Sequence, residues 1–397
     1  MGKLVVLTHK EVWRDGRSPS GYSTDGGFPL QMKSLSGLFD QMCILAPVVH
    51  SAKKEGQIPL SGDGLRVRPL TALPRSLTLR RLLLVPWFLL NLPRMIAAII
   101  SADAVHTPIP GDIGTLGMVI AQALRRPLFV RYCGNWHWIR TRAERFWRWF
   151  LVRYSRGTTV ALATGMDHLP PSEINKNIHW IFSTSLTEAY LKKNSRLRSI
   201  NASQPLRLIC VCRQEPAKGT ALVIECLPWV LKSRDVYLDV VGDGSAMPEL
   251  RALAKKVPSN RVFFHGRKNQ CEVFQLLSKA DIFCFPSRSS EGFPKAVLEA
   301  MAHGLPVVAS KVSALPSMLE RGGGSLLDEL TVECLGKTIL ELTDPVTYES
   351  KSHQAILFAA DYSLEKWRAC IYRRLSDAWG SAVRLKDFKG AEKERVK

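Results

Sequence analysis

The sequence lacks the paired cysteine motifs of disulfide-rich and zinc-binding proteins. Its nine cysteines include no C-x-x-C, and the one close pair is Cys210 and Cys212. This spacing builds neither a disulfide framework nor a zinc site, so we expect reduced, mostly buried thiols. Internal repeats are also missing, and the hydrophobic and charged fractions of 46% and 23% are those of a globular protein. Disorder is therefore expected only in a frayed, charged tail at residues 386–397.

An uninterrupted hydrophobic run long enough to span a membrane is missing as well. Residues 82–100 are strongly apolar, but Pro86, Asn91, Pro93 and Arg94 interrupt them. A membrane-spanning helix tolerates one such residue more easily than four. The apolar run at the N-terminus is too short for a signal peptide. Together with the reduced thiols, these features indicate a cytoplasmic protein.

Acidic residues are scarce in the first half of the chain. Residues 1–200 hold 27 Lys and Arg against 12 Asp and Glu, a net charge of +15, whereas residues 201–397 hold 28 against 23, a net charge of +5. This excess predicts a polyanionic partner for the first half, either an anionic membrane surface or a nucleic acid.

Apolar runs of strand length alternate with helical patterns along the 397 residues. Their hydrophobicity is continuous rather than alternating, which predicts parallel sheets covered by helices on both faces. A polar stretch at residues 175–205 interrupts the series, and we interpret it as an interdomain connection. The predicted fold class is therefore α/β, with doubly wound domains at residues 1–190 and 191–345. The predicted strands are residues 4–7, 41–45, 104–107, 128–132, 207–212, 237–241, 262–265, 282–286 and 307–310.

The most informative segment is residues 286–310, where a buried strand, a polar loop, a helix and another strand follow one another. Glu291 lies in the loop, and Glu299 follows eight positions later on a helix that begins at Pro294. The helix N-terminus, with the backbone N–H groups of Gly292 and its neighbours, favours an anion such as a phosphate.

Two cations follow another strand of the second half. Arg213 and Lys218 come after residues 207–212, and the carboxyl ends of strands are where open α/β sheets bind ligands. Two cations facing a helix N-terminus predict a diphosphate site.

These segments resemble the retaining GT-B glycosyltransferases of family four, the glycosyl transferases group 1. The family pattern E-G-F-x-x-x-x-x-E, followed by A-x-x-x-G-x-P-V-V-A, is almost unbroken over residues 291–309, and a V-G-D-G turn lies upstream at residues 241–244. The resemblance is strong over residues 205–310 and loose before them. It implies a GT-B fold of two facing Rossmann-like domains with a cleft between them. The N-terminal domain would bind the acceptor and the C-terminal one the nucleotide sugar, and a helical segment at residues 346–397 would cross back to the N-terminal domain.

The resemblance also implies roles for the matched residues. Arg213 and Lys218 would neutralise the leaving diphosphate, so neither a metal nor another cofactor is expected. Glu299 would hold the ribose hydroxyls, and Glu291 would contact the donor sugar as it becomes positively charged.

Backbone donors to the sugar and phosphate would come from Gly292 and Phe293. Two departures from the family pattern lie in the second half of the chain. Cys212 stands where relatives have the glycine before the arginine, and residues 314–317 replace the family's G-x-P-E motif.

Residues of the first half are expected on the acceptor side of the cleft. Gly26 and Gly27 follow the first strand, where paired glycines allow close backbone approach to a ligand. His106 ends another strand. Where relatives carry a His-Gly pair, this chain has Arg131-Tyr132-Cys133-Gly134-Asn135-Trp136-His137, so either Asn135 or His137 would face the anomeric centre.

An arginine-rich helical segment suggests where the basic charge acts. At 100° per residue, Trp149 falls among Arg142, Arg145 and Arg156 on one face, as suits an anionic lipid interface. With the apolar run at residues 82–92, this predicts docking on a membrane surface, the alternative being plain solvated charge. The opposite face is a core-facing stripe of Ala143, Phe146, Trp147, Phe150, Leu151 and Tyr154.

The leading hypothesis is a metal-independent, retaining transferase that moves a sugar from a UDP-, GDP- or ADP-sugar to a glycan or lipid-linked acceptor. Cell-envelope or exopolysaccharide synthesis at the inner face of the membrane would be its setting. A sugar-nucleotide epimerase or phosphorylase on the same fold is the alternative enzyme, and an inactive binding protein is a third possibility. A nucleic-acid-binding protein is disfavoured, because the sequence contains no RNP, KH, helix-turn-helix or zinc signature.

Overall fold

The computed structural model describes residues 2–50, 57–72, 74, 76–139, 141–289 and 291–386. Most of the tail expected at residues 386–397 therefore lies outside the described residues. In chain order, the strands are β1 (Lys3–Leu7), β2 (Trp13–Arg14), β3 (Tyr22–Thr24), β4 (Gln41–Pro47), β5 (Ile58–Pro59), β6 (Leu65–Leu70), β7 (Ala104–Ile109), β8 (Leu128–Tyr132), β9 (Thr159–Thr164), β10 (Ile178–Ile181), β11 (Leu206–Val211), β12 (Val236–Val241), β13 (Val262–Gly266), β14 (Ile282–Phe285), β15 (Val307–Ser310) and β16 (Gly324–Leu327).

The helices follow in the same order. They are α1 (Phe28–Ser36), α2 (Leu77–Ile100), α3 (Asp112–Ala123), α4 (Arg142–Tyr154), α5 (Glu188–Asn194), α6 (Thr220–Val230), α7 (Met247–Ala254), α8 (Gln270–Leu277), α9 (Lys295–Ala302), α10 (Leu315–Leu319), α11 (Val332–Glu341), α12 (Pro345–Ala360) and α13 (Leu364–Trp379). Short 3₁₀ turns lie at Pro216–Lys218 and Gly380–Ala382.

The chain forms two compact units. One comprises Met1–Thr164, Leu169–Ser185 and Leu364–Lys397, and the other comprises Gly165–His168 and Leu186–Ser363. Thus α12 belongs to the second unit, and the chain returns to the first unit at Leu364 rather than at residue 346. One contact that holds α12 is the hydroxyl of the fully buried Tyr348, which donates to the carbonyl of Asp281 at 2.9 Å.

The first unit is built on a parallel sheet with the strand order β10-β9-β8-β7-β1-β4-β6. Alternate residues of its strands enter two separate hydrophobic clusters. Met32 and Leu35 of α1 and Trp367 of α13 belong to one cluster, whereas Trp87 of α2 and Phe150 of α4 belong to the other. Helices therefore cover both faces, as continuous apolar strands require. A small antiparallel sheet, β2-β3-β5, completes the described strands of this unit.

The second unit repeats this plan on a parallel sheet with the order β13-β12-β11-β14-β15-β16. One hydrophobic cluster lies beneath α6, α7 and α11. Residues that point to the other face, such as Ile209, Phe283 and Val307, are also fully buried. The α/β class with two doubly wound parallel sheets is confirmed.

Every predicted strand exists within about two residues of its expected ends. Four further strands, β6, β9, β10 and β16, join the parallel sheets. The stretch at residues 175–205 is not only a connection, because it contains the edge strand β10 and the helix α5.

The apolar segment at residues 82–100 lies in α2, which continues through both Pro86 and Pro93. Within the described residues, Leu82–Ile100 is the one helical segment that is long and apolar enough to cross a membrane by length and composition, and 28% of it is buried. A narrow stripe at i, i+4 spacing faces the core of the first unit, including Trp87, Asn91 and Met95.

A buried carboxylate links three strands of the second unit. Asp239 on β12 is fully buried. It accepts hydrogen bonds from Nε and Nη2 of Arg207 on β11 at 2.5 and 3.2 Å, and Nε2 of His265 on β13 lies 2.7 Å away. The hydrogen bonds to Asp239 raise the pKa of Arg207.

We predict that Asp239→Ala lowers the free energy of unfolding by about 3 kcal/mol, because it leaves two donors without their buried acceptor. Asp328→Ala is the matched control, since Asp328 pairs with Lys311 on the surface and is 83% exposed; its cost should stay below ~1 kcal/mol. Urea unfolding at pH 7 measures both variants, and equal losses would contradict the structural role given to Asp239.

Candidate functional site

Two loops interlock at the carboxyl edge of the β11–β12 pair. The fully buried Gln214 follows β11, and its Nε2 donates to the carbonyl of Val241 at 2.9 Å while its Oε1 accepts from the Thr220 hydroxyl at 2.8 Å. Gly242 has φ +114°, and a Cβ there would lie 1.8 Å from the carbonyl oxygen of Cys212. Only glycine fits this close approach, which explains the first glycine of the V-G-D-G turn.

The site holds an ion pair between two of the predicted residues, a buried lysine and a half-buried glutamate. Lys218 ends the 3₁₀ turn after β11, and its side chain is 8% exposed. Its ammonium pairs with the Oε1 of Glu291 and donates to the hydroxyl of Ser289 at 3.2 Å. The sequence predicted both residues for the site but not their pairing.

Gly219 lets Lys218 sit this deep. Its φ is +78°, and a Cβ there would lie 2.0 Å from the carbonyl oxygen of Pro286 at the end of β14. The turn after β11 and the loop after β14 are therefore in direct backbone contact.

Serines fix the loop that carries Glu291. The hydroxyl of the fully buried Ser287 donates to the carbonyl of Ala217 at 3.3 Å, and the Ser310 hydroxyl donates to the carbonyl of Ser287 at 2.5 Å. The backbone N–H of Glu291 donates to the Ser313 hydroxyl at 2.9 Å. Three strand ends thus contribute to holding one carboxylate beside one ammonium.

The helix predicted after this loop is α9, with Pro294 as its N-cap and Gly304, at φ +71°, just after its C-cap. Glu299 lies in the middle of α9, and Nε2 of Gln270 on α8 donates to its Oε1 at 3.4 Å. Phe293, 7% exposed, has its ring 5.8 Å from that of Tyr362 and anchors the loop before α9.

Arg213 differs from Lys218 in its surroundings. Its side chain is 78% exposed, and its Nη1 lies 3.0 Å from the Oε1 of Glu215. The residue is at the predicted strand end, but its guanidinium is on the surface and free to change rotamer. The backbone of Gly292 is half-buried beside Glu291.

The acceptor-side residues predicted in the first unit have three different environments. Gly26, with φ +72° and open space around it, and Gly27 form the start of α1. Asn135 uses its side-chain oxygen to accept from the backbone N–H groups of His137 and Trp138 at 2.9 and 2.8 Å, which is turn chemistry. The His137 ring is exposed, 5.2 Å from that of Trp180.

His106 corrects the expectation of an acceptor-facing side chain. Its ring is 1% exposed, stacked on Phe129 at 3.8 Å, with Nδ1 3.1 Å from the Phe129 carbonyl. Burial and the nearby charge of Arg131 lower the pKa of His106 to about 3. The residue is a neutral core histidine and not a surface that an acceptor reaches.

The four residues predicted for a membrane surface, Arg142, Arg145, Trp149 and Arg156, are all exposed. The opposite stripe is buried only in part, because Phe146 is 38% exposed and Ala143 is exposed as well. Trp147 ties α4 to the rest of the unit, because its indole N–H donates to the Thr115 hydroxyl of α3 at 2.8 Å.

Sequence reasoning missed the residues that build the site without carrying its chemistry. Gln214, Ser287, Ser310 and Gln270 were not singled out, since each gains its role from a partner far along the chain. The signal that was present is position, because Gln214 and Ser287 directly follow strand ends. Among the described residues, no group of three or more His, Cys, Asp and Glu side chains could hold a metal ion.

Residues 205–344 match the family described as Glycosyl transferases group 1. The amylovoran biosynthesis glycosyltransferase AmsK of Erwinia amylovora is 35% identical over 161 residues, 38% of this chain and 39% of AmsK. A GDP-mannose-dependent monoacylated alpha-(1-6)-phosphatidylinositol monomannoside mannosyltransferase of Corynebacterium glutamicum is 33% identical over 144 residues, 34% of this chain and 38% of that protein. The chain thus matches about two fifths of the length of these relatives, and the resemblance is confirmed for its second unit.

Solved structures are similar over nearly the whole chain. HepE of Anabaena, in complex with UDP and glucose, has a TM-score of 0.66 at 17% identity, covering 95% of this chain and 99% of HepE. At this identity the likeness concerns the fold alone. The fold is GT-B, with two Rossmann-like units.

Proposed function

We propose that this chain, whose residues 205–344 match the glycosyl transferases group 1, transfers a sugar from a nucleoside-diphosphate sugar to an acceptor of the cell envelope or an exopolysaccharide. The observation that carries the proposal is the ion pair of Lys218 and Glu291 at the carboxyl edge of the sheet in the second unit. Glu299 follows Glu291 by eight residues. Relatives support the class of acceptor, since AmsK acts in amylovoran biosynthesis and the Corynebacterium glutamicum protein acts on a phosphatidylinositol mannoside.

Charge explains how these residues would act. When the bond between the sugar C1 and the diphosphate breaks, negative charge grows on the diphosphate and positive charge on the sugar. Lys218 would exchange Glu291 for a diphosphate oxygen, and the exposed Arg213 would rotate onto the same group. Glu291, released from the lysine, would then lie beside the positive sugar. Glu299 would hold the ribose hydroxyls throughout.

Three features of the proposal come from the family resemblance and the local charges. The donor is a UDP-, GDP- or ADP-sugar, and HepE, which shares the fold, binds UDP and glucose. The two cations replace a metal. The new linkage keeps the anomeric configuration of the donor.

We predict that Glu299→Gln weakens binding of the preferred nucleoside diphosphate by about tenfold, because a ribose hydrogen bond to a charged group is lost in every state. Glu291→Gln should leave that affinity within about twofold of the wild-type value or tighten it. It should lower turnover by roughly 10²-fold, because the Glu291 carboxylate meets charge that develops on the sugar only in the transition state. Calorimetry with UDP, GDP and ADP measures binding. Donor consumption with an envelope glycolipid extract measures turnover, and NMR of the product gives its anomer.

The control for the loss of one charge is Glu249→Gln, because Glu249 is an exposed residue of α7. Unchanged turnover and affinity in both site variants would end the transferase hypothesis. Sugar release that needs no acceptor would instead favour an epimerase or phosphorylase.

A second prediction concerns the metal. Transfer should retain its full rate in excess EDTA, since Lys218 and Arg213 carry the charge that a divalent ion would supply. Loss of the rate in EDTA and its recovery with Mg²⁺ or Mn²⁺ would contradict this.

We further propose that the first unit docks on an anionic membrane surface from the cytoplasmic side, and the arrangement of two of its helices supports the docking. The helices α2 and α4 contribute to the same hydrophobic cluster and so cover the same face of the sheet. The outer side of α2 exposes Leu82 at 71%, Val85 at 64% and Leu89 at 62%. The outer side of α4 carries the arginines around Trp149, which is 55% exposed. Apolar and basic side chains therefore lie in one helical layer, as interfacial binding requires.

We predict that the protein sediments with vesicles containing phosphatidylglycerol at low salt and leaves them at high salt. Replacing Arg142, Arg145, Trp149 and Arg156 together with Ala should weaken this binding about 100-fold or more, at roughly 1 kcal/mol for each basic residue. Nucleotide binding, which belongs to the second unit, should persist.

The control variant removes three positive charges from exposed positions of the second unit, by combining Lys255→Ala, Lys256→Ala and Lys279→Ala. Equal binding by both variants would mean that the basic face of α4 is ordinary solvated surface.

A further inference from the structure

A tyrosine at the start of the second unit is linked to Glu299 by two successive hydrogen bonds that pass through His303. Tyr190 lies on α5, which the Thr187 hydroxyl caps shortly after the chain enters this unit. Its hydroxyl is 2.8 Å from Nε2 of His303, and its ring is 4.7 Å from that of Phe274 on α8. The motif chemistry described above uses neither Tyr190 nor His303.

The hydrogen bonds fix the direction of this contact. Nδ1 of His303 is 2.7 Å from the backbone carbonyl of Glu299, and a carbonyl only accepts. Nδ1 therefore carries the proton, and the bare Nε2 accepts from the Tyr190 hydroxyl. Burial lowers the pKa of His303, while burial and the charge of Glu299 raise the pKa of Tyr190 to about 12. The imidazole is thus neutral and the phenol protonated at neutral pH.

Two side chains, that of the C-cap residue His303 and that of Ser195, satisfy carbonyls in the last turn of α9. The His303 ring donates to the carbonyl of Glu299, and the hydroxyl of Ser195, just after α5, donates to the carbonyl of Ala302 at 2.9 Å. Both carbonyls belong to the C-terminal end of α9, where a helix lacks internal donors. The segment from α5 to Ser195 therefore sets where this end of α9 lies.

Packing holds the backbone at this end of α9, where Ala300, Met301 and Ala302 are fully buried, and a cavity lies beside the His303 ring. Tyr190, Phe274 and His303 line an open cavity of about 670 Å³, together with Cys271 and Arg198. The His303 imidazole borders this space, and its hydrogen bonds to Tyr190 and to the carbonyl of Glu299 fix its orientation there.

We propose that Tyr190 is a positioning residue for the donor nucleotide, holding Glu299 through His303 where the ribose hydroxyls bind. This rests on the proposed function, in which Glu299 takes those hydroxyls. Tyr190 would then be a determinant of nucleotide affinity that lies outside the motif of residues 291–309, on the segment where the chain enters the second unit.

The test uses Tyr190→Phe, which removes one hydroxyl and keeps the ring against Phe274. The probes are whichever of UDP, GDP and ADP binds the wild-type protein most tightly, and its 2′,3′-dideoxy analogue. We expect the affinity for the ribose form to fall about three- to tenfold, the worth of one hydrogen bond. The affinity for the dideoxy form should be unchanged, because that ligand has no hydroxyl for Glu299.

Tyr348→Phe is the control, since it deletes another tyrosine hydroxyl bond within the same unit, to the carbonyl of Asp281, at a more deeply buried position. It should lower thermal stability without changing nucleotide affinity. In the background of Glu299→Gln, Tyr190→Phe should cause no further loss of affinity, because coupled residues are not additive.

Three results would overturn the inference alone: wild-type affinity in Tyr190→Phe, an equal loss in Tyr348→Phe, or an equal loss with the dideoxy ligand. If the wild-type protein binds none of the three nucleotides, the proposed function falls and this inference falls with it.

Discussion

The buried ammonium of Lys218 is the constraint on which the candidate site depends. A cation whose side chain is 8% exposed needs polar partners from the protein, because water no longer solvates it. Two of its partners, Glu291 and Ser289, come from a single loop. The charge therefore fixes that loop against the end of β11, and the loop leads directly into α9. The position of Glu291 follows from this pairing, and α9, which carries Glu299, begins directly after the same loop.

The site was predictable as far as its chemistry is local in sequence. Pro294 and Gly304 mark the ends of α9 because proline suits a helix start and glycine the left-handed residue after its end. The support of the site was not predictable, because Gln214 meets Val241, and Ser287 meets Ala217, only after distant strands pair. His106 shows the reverse case: its place at a strand end suggested a role at the surface, but its side chain points into the core.

The fold was predictable where strands are central and strongly apolar. The missed strands are shorter, more polar or weaker in hydrophobicity. In β6, arginines alternate with apolar residues at an edge of the sheet, and β16 begins with glycine. Thr and Ala make up most of β9, so it is buried without a strong apolar signal. Whether such a segment forms a strand depends on the strands that pair with it. The local sequence pattern carries no information about those partners.

The helix α2 inverts the usual distribution of polar and apolar side chains. Asn91 is fully buried, and its Nδ2 donates to the Thr71 hydroxyl at 2.7 Å and to the carbonyl of Trp87 at 2.8 Å, while leucines occupy the exposed side. Thr71 lies outside α2, so its hydrogen bond with Asn91 identifies the side of the helix that faces protein. On the exposed side of α2, each Å² of leucine surface left in water costs a free energy of roughly 25 cal/mol. The proposed docking on an anionic bilayer would remove this cost, because the bilayer would cover the exposed leucines; under the proposed function it would also hold the unit beside a lipid-linked acceptor.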